Sequence, residues 1–406
     1  MPYPVIVVGA GLAGLACALH LHRAGLAVSV LEAADRVGGR MRTDVVDGFR
    51  LDRGFQVFNT GYPEAARVLD LPALRLRPFR SGLLLFHRGR MERVMLPWKH
   101  PEHAFSGLFA DVGTVADKAR LGALTARDML LPARRIAAGV ERDTAGELRA
   151  WGLSEAMIER FFRPFLAGVV LERRLETSSR FFHLLWRSFA RGTIALPAGG
   201  MGQIPAQLAG NLPPGTVRLG TRVTELTGTG VRLAGGEELQ GPVVIATDPH
   251  TAAGLVPGTE VPEMRSVTTF YHLAPRSPLG EPIQIADVEG VIADTVVLTD
   301  VAPEYSADGR ALVATSVLGL AGDAEEPRVR ARLADIYGDT STWAHLATYP
   351  VEHALPAMTP PLTLRRPVRL SDRHYICGDH RDTGSIQGAL VSGRRAARAV
   401  LADHGS

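Results

Sequence analysis

The stretch PVIVVGAGLAG at positions 4–14 decides the fold of this chain. Its first part, Val5–Val8, is a β-branched run typical of a strand buried on both faces of a parallel sheet. Three glycines with the spacing G-x-G-x-x-G follow the run. Gly9 permits a tight turn, Gly11 lets a pyrophosphate approach the backbone, and Gly14 lets the next helix pack closely on the strand. The stretch therefore predicts the start of a dinucleotide-binding unit.

The residues that follow complete a strand–helix–strand unit. A helix is predicted to begin near Ala10, where free N–H groups face the phosphates, and to stop at Gly25. Ala27–Leu31 predicts the second strand. Glu32 stands at its end, where a carboxylate accepts hydrogen bonds from the hydroxyls of an adenosine ribose. The alternative is an ordinary unit whose glycines serve only in turns, but the agreement of all these features favours the nucleotide site.

A second pair of glycines follows Glu32 almost at once. Ala33 leads into the run RVGGRMRT at positions 36–43. Its two glycines would let the backbone approach a second part of the same ligand. Arg40 would hold a pyrophosphate oxygen through a charge-assisted hydrogen bond. Ala33, Gly39 and Arg40 therefore join Glu32 as predicted cofactor-binding residues.

The run at 36–43 resembles the signature of a superfamily that contains flavin-dependent amine oxidases, phytoene desaturases and protoporphyrinogen oxidases. The resemblance extends to Leu51–Gln56, where that superfamily brings a glycine-containing segment against the flavin ring. It implies that Gly54, Phe55 and Gln56 contact the flavin and that the cofactor is non-covalent FAD. The implied fold class is α/β, with a discontinuous Rossmann-like FAD-binding domain and an interleaved α+β substrate domain that includes a helical region.

A second signal for the same cofactor lies near the other end of the chain. The run YICGD at positions 375–379 predicts a strand that leads into Gly378 and Asp379. By the resemblance, Asp379 accepts hydrogen bonds from the ribityl chain or the pyrophosphate region. The helix that begins near Ile386, and that includes Ala389, points its N-terminus at the pyrimidine edge of the flavin. Such a positive end stabilises negative charge on the reduced flavin.

The order of the predicted elements makes both domains discontinuous. The FAD-binding domain is predicted at residues 1–56, 193–255 and 370–406, and the substrate domain at 57–192 and 256–369. Residues 97–190 are predicted to be mostly helical, and their aromatic cluster Phe161–Phe165 is predicted to pack in the core rather than to form a substrate tunnel. By the resemblance, Val223 contacts the adenine through its backbone.

Composition agrees with a globular enzyme. The 406 residues are 46% hydrophobic and 21% charged, with a formal net charge of +3. Basic and acidic residues are interleaved, which argues against nucleic acid as a partner. No apolar run approaches the roughly 18 to 20 residues that span a bilayer, and no signal peptide is recognised. Cys17 and Cys377 predict neither a disulfide framework nor a metal site. We expect a cytoplasmic protein that can also contact a membrane peripherally.

The expected reaction moves a hydride equivalent from a C–H bond of a small molecule to flavin N5, with O2 or a quinone as electron acceptor. Amine oxidases of the superfamily carry a lysine in the substrate sheet, but the matching run at 265–271 has none. They also place an aromatic residue where this chain has Ser385. The runs at 352–356 and 385–393 look more like those of phytoene desaturases. The substrate is therefore predicted to be apolar.

Three alternatives stay open at this stage. One is an amine oxidase or a protoporphyrinogen-oxidase-like enzyme, and another is a flavin-dependent isomerase without net redox change. The third is a flavin-free binding module of the kind seen in Rab GDP dissociation inhibitors. No catalytic acid or base is identified. His183 lies in the aromatic run FFHLLW and is predicted to be a hydrogen-bonded core residue, whereas no role is assigned to Tyr349 or His353.

Overall fold

The computed structural model describes residues 3–95 and 112–404. The strands of this part are, in chain order, β1 Val5–Val8, β2 Val28–Leu31, β3 Thr43–Val46, β4 Phe49–Asp52, β5 Phe58–Asn59, β6 Arg77–Pro78, β7 Gly82–His87, β8 Arg90–Met95, β9 Ile194–Leu196, β10 Val217–Arg218, β11 Val223–Leu226, β12 Gly230–Leu233, β13 Glu238–Gln240, β14 Val243–Ile245, β15 Met264–Ala274, β16 Ile285–Asp287, β17 Asp294–Val297, β18 Ala311–Leu318, β19 Ala344–Pro356 and β20 His374–Ile376. The α-helices are α1 Leu12–Arg23, α2 Ala65–Val68, α3 Val115–Leu130, α4 Ala133–Ala137, α5 Thr144–Ala150, α6 Glu155–Met157, α7 Arg163–Val170, α8 Ser179–Arg191, α9 Gln203–Gly210, α10 Pro249–Leu255, α11 Leu298–Val301, α12 Glu326–Tyr337 and α13 Ile386–His404. A π-helical turn, Ile158–Phe162, joins α6 to α7.

Strand β1 is the centre of a five-stranded parallel sheet in the order β10-β2-β1-β14-β20. β2 pairs with it on one side and β14 on the other, both in parallel. All four side chains of β1 are buried, as expected for a β-branched run between two parallel neighbours. The strands of this sheet come from the beginning, the middle and the end of the chain, within the three segments predicted to form the FAD-binding domain.

The glycines after β1 set the path of the chain into α1. Gly9 has a φ of +106°, a conformation that other residues rarely adopt. A Cβ atom added to Gly14 would lie 2.0 Å from the carbonyl oxygen of Gly9, so only glycine lets α1 pack this closely. The helix begins at Leu12, two residues later than predicted, because Gly11 is extended and acts as the N-cap. The unit predicted from the first 32 residues is otherwise present.

The second large sheet has seven strands in the order β19-β15-β18-β17-β16-β7-β8. Its pairs are antiparallel except for β16 and β7, which are parallel. Helix α12 covers one face, where Val329 and Leu333 pack against Phe270 and Val313. On the other face, Tyr271 belongs to the same apolar core as the helices beside the parallel sheet. The two sheets therefore face one another across a shared core.

Helices α3 to α8 form a helical region beside the seven-stranded sheet, with an aromatic core that includes Phe162 and Phe182. This confirms the predicted helical character of residues 112–190, whereas 97–111 lie outside the described residues. His183 on α8 is buried in this region. Its Nδ1 lies 2.7 Å from a carboxylate oxygen of Asp128, and its Nε2 lies 3.2 Å from one of Glu147. The prediction of a hydrogen-bonded core histidine is confirmed.

The predicted α/β fold class is confirmed by this arrangement of a parallel sheet, a second mixed sheet and a helical region. The strands of the seven-stranded sheet come from residues 82–95 and 264–356, inside the two segments predicted for the substrate domain. The division into two domains stays a prediction. Among the described helices, none combines the length and the apolar character that crossing a membrane requires.

Candidate active site

A cavity of about 650 Å³ opens where the parallel sheet, the seven-stranded sheet and the helical region meet. This volume falls in the range of small-molecule and cofactor sites. Nearly all of the predicted cofactor-binding residues line it: Gly9, Gly11, Glu32, Ala33, Gly39, Arg40, Gly54, Phe55, Gln56, Val223, Gly378, Asp379, Ile386 and Ala389. Gly14 is the exception, because it faces the backbone of Gly9 behind the cavity wall.

The glycine loop and Glu32 form one end of the cavity. A Cβ atom added to Gly11 would meet nothing within 4 Å, so this position leaves open space in front of the N-terminus of α1. The carboxylate of Glu32 accepts hydrogen bonds from the backbone N–H of Ala10 at 2.7 Å and of Ala34 at 2.9 Å. These bonds hold the acidic side chain beside the loop, where a ribose would lie next to a pyrophosphate.

Arg40 and Asp379 meet in the middle of the cavity. Arg40 Nη2 donates to Asp379 Oδ1 at 2.6 Å, and Arg40 Nη1 donates to the carbonyl oxygen of Ala354 at 2.8 Å. Burial on its own would lower the pKa of Arg40, but the contact with Asp379 outweighs burial and raises that pKa. The guanidinium is therefore a permanent cation in this part of the cavity, with a fixed orientation.

The segment after β4 passes between the two sheets. Gly54 has a φ of +84° and turns the chain towards the cavity. The backbone N–H of Phe55 donates to Thr269 Oγ1 on β15 at 3.0 Å. Gln56 Nε2 donates to the carbonyl oxygen of Arg40 at 3.1 Å. These bonds tie the segment both to the glycine-rich run and to the seven-stranded sheet, and thus fix its position on the cavity wall.

Helix α13 directs its N-terminus at the same cavity. Ile386 and Ala389 line the wall, and Ser385 caps the first turn by accepting a hydrogen bond from Gly388 N–H at 3.0 Å. The partial positive charge of a helix N-terminus favours negative charge in front of it. Val223 also lines the cavity, and the register between β11 and β12 shifts directly after it.

The half of the cavity away from the glycine loop is aromatic. The rings of Phe161 and Phe165 are stacked with centroids 5.8 Å apart, and Phe189 and Trp186 lie within 6.1 Å of Phe165. The prediction that Phe161–Phe165 only packs in the core is wrong in part, since Phe161 and Phe165 line the cavity. Phe162 between them is buried in the core, and Phe161 belongs to the same core as well as to the cavity wall. The π-helical turn Ile158–Phe162 contains Phe161 and changes the helical period at this point.

Several wall residues carry no motif that sequence reasoning could have used. Asn59 and Tyr62 follow the segment predicted to face the flavin, and Gln284 precedes β16. They reach the cavity only because distant segments pack together. By contrast, Tyr349 and His353 do not line it. The Tyr349 hydroxyl donates to Asp44 Oδ2 at 3.1 Å, and the His353 ring is stacked 4.0 Å from that of His250.

The wall chemistry fits FAD. An open glycine loop at a helix N-terminus and a cation beside it suit a pyrophosphate, and an acidic side chain next to the loop suits a ribose. A second helix N-terminus faces the other part of the cavity. The individual roles of the fifteen predicted cofactor-binding residues stay predictions.

Comparison with known proteins gives a consistent picture. The family described as flavin containing amine oxidoreductase matches residues 12–401. Hydroxysqualene dehydroxylase of Rhodopseudomonas palustris is 28% identical over 435 residues, which cover 99% of both chains. Polyamine oxidase 1 of Oryza sativa subsp. japonica is 33% identical over 258 residues, which cover 56% of this chain and 48% of that protein.

Solved structures share the fold. An oxidoreductase from Methanosarcina mazei superposes with a TM-score of 0.74 at 14% identity, covering 97% of this chain and 100% of that one. Cyclohexylamine oxidase from Brevibacterium oxydans superposes with a TM-score of 0.69 at 19% identity and covers both chains fully. The family match spans nearly the whole sequence. This chain therefore belongs to the flavin containing amine oxidoreductases and is an FAD-dependent oxidoreductase.

Proposed function

We propose that this enzyme oxidises an apolar, unsaturated small molecule of the isoprenoid kind. The observation that carries the proposal is the aromatic half of the cavity, where Phe161, Phe165, Trp186 and Phe189 stand beside the predicted flavin-facing segment. Aromatic walls bury large apolar area, and burial stabilises by about 25 cal/mol per Å². A hydrocarbon chain is the ligand that such a wall binds best.

The predicted roles of the residues follow from their places in the cavity. When bound, FAD supplies the acceptor for a hydride equivalent from a substrate C–H bond at its N5 atom. Arg40 and the N-terminus of α1 would hold the pyrophosphate, and Glu32 the ribose. The N-terminus of α13 would favour negative charge at the pyrimidine edge. Phe165 and its aromatic neighbours would position the substrate and exclude water.

The electron acceptor belongs to the same proposal, and we propose O2 or a quinone. The test is an anaerobic titration of the purified, FAD-loaded enzyme with isoprenoid polyenes, porphyrinogens, putrescine and cyclohexylamine. Bleaching of the flavin absorption by a polyene, followed by reoxidation with O2 or a soluble quinone, is the expected result. Aromatic faces also attract ammonium groups. Bleaching by an amine alone would therefore overturn the proposal in favour of an amine oxidase.

A matched pair of variants links the aromatic wall to the reaction. Phe165→Ala removes a half-buried ring from the wall and should lower kcat/KM for the polyene by about 10- to 100-fold, with FAD content unchanged. Leu320→Ala removes an apolar side chain that is 57% exposed and serves as the control. An unchanged kcat/KM in Phe165→Ala would contradict a substrate site at this wall.

A second candidate is the reductive removal of a hydroxyl from a long apolar alcohol. It is favoured by the relative that matches this chain over its whole length, which carries the name hydroxysqualene dehydroxylase. In that direction a reduced flavin would supply a hydride and a proton, so that the alcohol would become a hydrocarbon and water while the flavin is oxidised. Conversion of an allylic isoprenoid alcohol to its hydrocarbon by the dithionite-reduced enzyme, with no product from the oxidised enzyme, would select this reaction.

We also propose peripheral contact with an anionic membrane at the corner between α3 and α4, in a protein that is otherwise cytoplasmic. Leu130 is 83% exposed and Val140 is 74% exposed, and the exposed side chains of Arg134 and Arg135 lie between them in the chain. Apolar side chains among arginines suit a surface of negative lipid headgroups. Two buried, unbonded thiols, Cys17 and Cys377, suit a reducing compartment.

Vesicle co-sedimentation tests the membrane contact. The enzyme should sediment with phosphatidylglycerol vesicles but not with phosphatidylcholine vesicles, and a Leu130→Ser, Val140→Ser variant should lose most of the binding. Leu320→Ser, which alters an exposed leucine elsewhere, is the control. No sedimentation of the unaltered enzyme, or equal binding by all variants, would overturn this part of the proposal.

A further inference from the structure

The side chain of Asn59 is a buried hydrogen-bond donor on the cavity wall. Asn59 ends strand β5 and is only 2% exposed, yet it lines the cavity. Its Oδ1 accepts a hydrogen bond from the backbone N–H of Gly61 at 2.8 Å. Its Nδ2 has no hydrogen-bond partner in the described part of the chain. Leaving such a donor unpaired in a buried place is unfavourable, so a partner from outside the chain is to be expected.

The orientation of this amide is determined by its neighbours. The Gly61 N–H can donate only to the oxygen of the side chain, which fixes the NH2 group on the other side. Gly192 holds the oxygen in place, since a Cβ atom added there would lie 1.9 Å from Asn59 Oδ1. The side chain is therefore held in one orientation, with an unpaired NH2 group as its hydrogen-bond donor.

Tyr62 adds a second donor to the same wall. Its backbone N–H donates to the carbonyl oxygen of Asn59 at 3.2 Å, and its ring packs edge-on against Phe58 with centroids 6.3 Å apart. Tyr62 also lines the cavity. Burial raises the pKa of its phenol to about 12, so the hydroxyl is neutral at physiological pH.

These two polar groups belong to a wall that is otherwise apolar. Trp186, Phe189 and Ile194 line the cavity together with Asn59 and Tyr62. An ammonium group has no lone pair, so it cannot accept a hydrogen bond from the unpaired NH2 group of Asn59. A hydrocarbon has no atom that could accept from either donor. An oxygen atom of a neutral ligand can accept hydrogen bonds from both the Asn59 amide and the Tyr62 hydroxyl.

We propose that the Asn59 amide, with the Tyr62 hydroxyl, binds a hydroxyl or carbonyl oxygen of the substrate. The inference rests on the proposed function, because it takes the occupant of the aromatic half of the cavity to be an apolar small molecule. It narrows that class to apolar molecules with one oxygen function. Asn59 then favours isoprenoids that carry an oxygen atom, a feature of the substrate that the aromatic rings cannot recognise.

Binding of a matched pair of probes to the FAD-loaded enzyme tests this assignment. Farnesol carries the hydroxyl and farnesene lacks it, and calorimetry gives the Kd of each. Asn59→Asp keeps the acceptor for Gly61 and replaces the NH2 donors by an oxygen. At pH 8 it should weaken farnesol binding by about tenfold and change farnesene binding less than twofold. Tyr62→Phe should weaken only farnesol, by about three- to tenfold.

Controls separate a local effect from unfolding and from a contact with the flavin. Asn211→Asp alters the other asparagine, an exposed residue after α9, and should change neither affinity. FAD content and the Tm should be close to those of the unaltered enzyme in each variant. The neutral variant Asn59→Leu should leave the flavin absorption bands of the ligand-free enzyme unshifted. A shift there would assign the amide to the flavin and overturn the proposal.

The remaining outcomes are equally decisive. An unchanged ratio of farnesol to farnesene affinity in both Asn59→Asp and Tyr62→Phe would overturn the oxygen site and leave the proposed function standing. If neither probe binds to the unaltered enzyme, the proposed apolar substrate fails, and the oxygen site fails with it. A farnesol-specific loss in both variants supports the assignment.

Discussion

Arg40 and Asp379 form an ion pair across 339 positions of the chain, with 2.6 Å between Nη2 and Oδ1. The same guanidinium donates to the carbonyl oxygen of Ala354 on β19. It thereby joins the glycine-rich run after β2, the longest strand of the second sheet and the segment after β20. All three residues line the cavity. One cation on the cavity wall thus links three distant segments of the chain.

The first prediction concerns this pair. Asp379→Asn replaces the charged acceptor that fixes the orientation of Arg40, and it removes a carboxylate that is predicted to accept hydrogen bonds from the ribityl chain or the pyrophosphate region of FAD. We expect FAD affinity to fall by about 10- to 100-fold, as measured by titration of the apoprotein with FAD. Asp308→Asn alters an exposed ion pair with Arg310 and should have no effect. Equal FAD affinity in Asp379→Asn and the unaltered enzyme would refute the role of the pair.

A second prediction tests the close packing of α1 on β1. In Gly14→Ala the new Cβ would lie 2.0 Å from the backbone oxygen of Gly9, which cannot move without opening the turn. We expect a loss of stability of about 3 kcal/mol or more, together with loss of bound FAD. Thermal unfolding and the absorption spectrum measure both effects.

The matched control for that substitution is Gly122→Ala in the middle of α3. Nothing lies within 4 Å of the added Cβ at Gly122. Since alanine is a better helix former than glycine, this variant should gain about 0.5–1 kcal/mol. Similar behaviour of the two variants would contradict the packing argument.

The third prediction concerns pH. Burial on its own lowers the pKa of His183, but its hydrogen bonds with Asp128 and Glu147 outweigh burial and raise it. The histidinium therefore stabilises the fold below its unfolded pKa of about 6.5, and this contribution is lost as the pH rises through the folded pKa. The hydrogen bond with His183 lowers the pKa of Glu147 to about 2. Its contribution is present above an unfolded pKa of about 4.3 and is lost as the pH falls towards 2.

Chemical denaturation at a series of pH values checks this expectation. The contribution of the pair to the free energy of unfolding should be largest between about pH 5 and 6.5. In the variant His183→Gln, most of the fall in the free energy of unfolding above about pH 6.5 should disappear. If its pH profile runs parallel to that of the unaltered enzyme, His183 does not titrate as proposed.

The glycine loop was predictable because its geometry is local. Gly9, Gly11 and Glu32 lie on one strand–helix–strand unit, and Glu32 bonds to the backbone of Ala10 within that unit. The aromatic wall was not predictable in the same way. The helical period predicts that Phe161 and Phe165 share one face, but it does not tell whether that face packs in the core or lines a cavity. The sequence therefore predicts the cofactor far better than the substrate.

The polar residues on the cavity wall were not predictable from the sequence, for a different reason. Asn59 comes to the cavity because β5 pairs with β9, a strand far along the chain. Its oxygen accepts from the Gly61 N–H and lies against Gly192. No spacing in the sequence indicates that contact. A single asparagine after an apolar run predicts only a turn or a strand end, and its unpaired donor becomes visible only in the packed structure.

The last prediction concerns a buried acid beneath the aromatic wall. Asp294 on β17 is 2% exposed, and a Cβ atom added to Gly168 of α7 would lie 2.1 Å from its Oδ2. Neither carboxylate oxygen has a hydrogen-bond partner of normal geometry among the described residues, although Ser316 and Gln284 lie beside it. Burial raises the pKa of Asp294 to about 6.

The direction of the pKa shift of Asp294 determines how the stability of the fold changes with pH. The folded state keeps the proton up to about pH 6, whereas the unfolded chain loses it near pH 3.9, so Asp294 makes the fold less stable as the pH rises through that interval. Asp294→Asn removes the titration and should raise the free energy of unfolding by about 1–3 kcal/mol at pH 7.5. The gain should vanish near pH 4. Urea denaturation at the two pH values measures it, with the exposed Asp339→Asn as control. A variant that is less stable than the unaltered enzyme at pH 7.5 would show that the Asp294 carboxylate is stabilised by a partner.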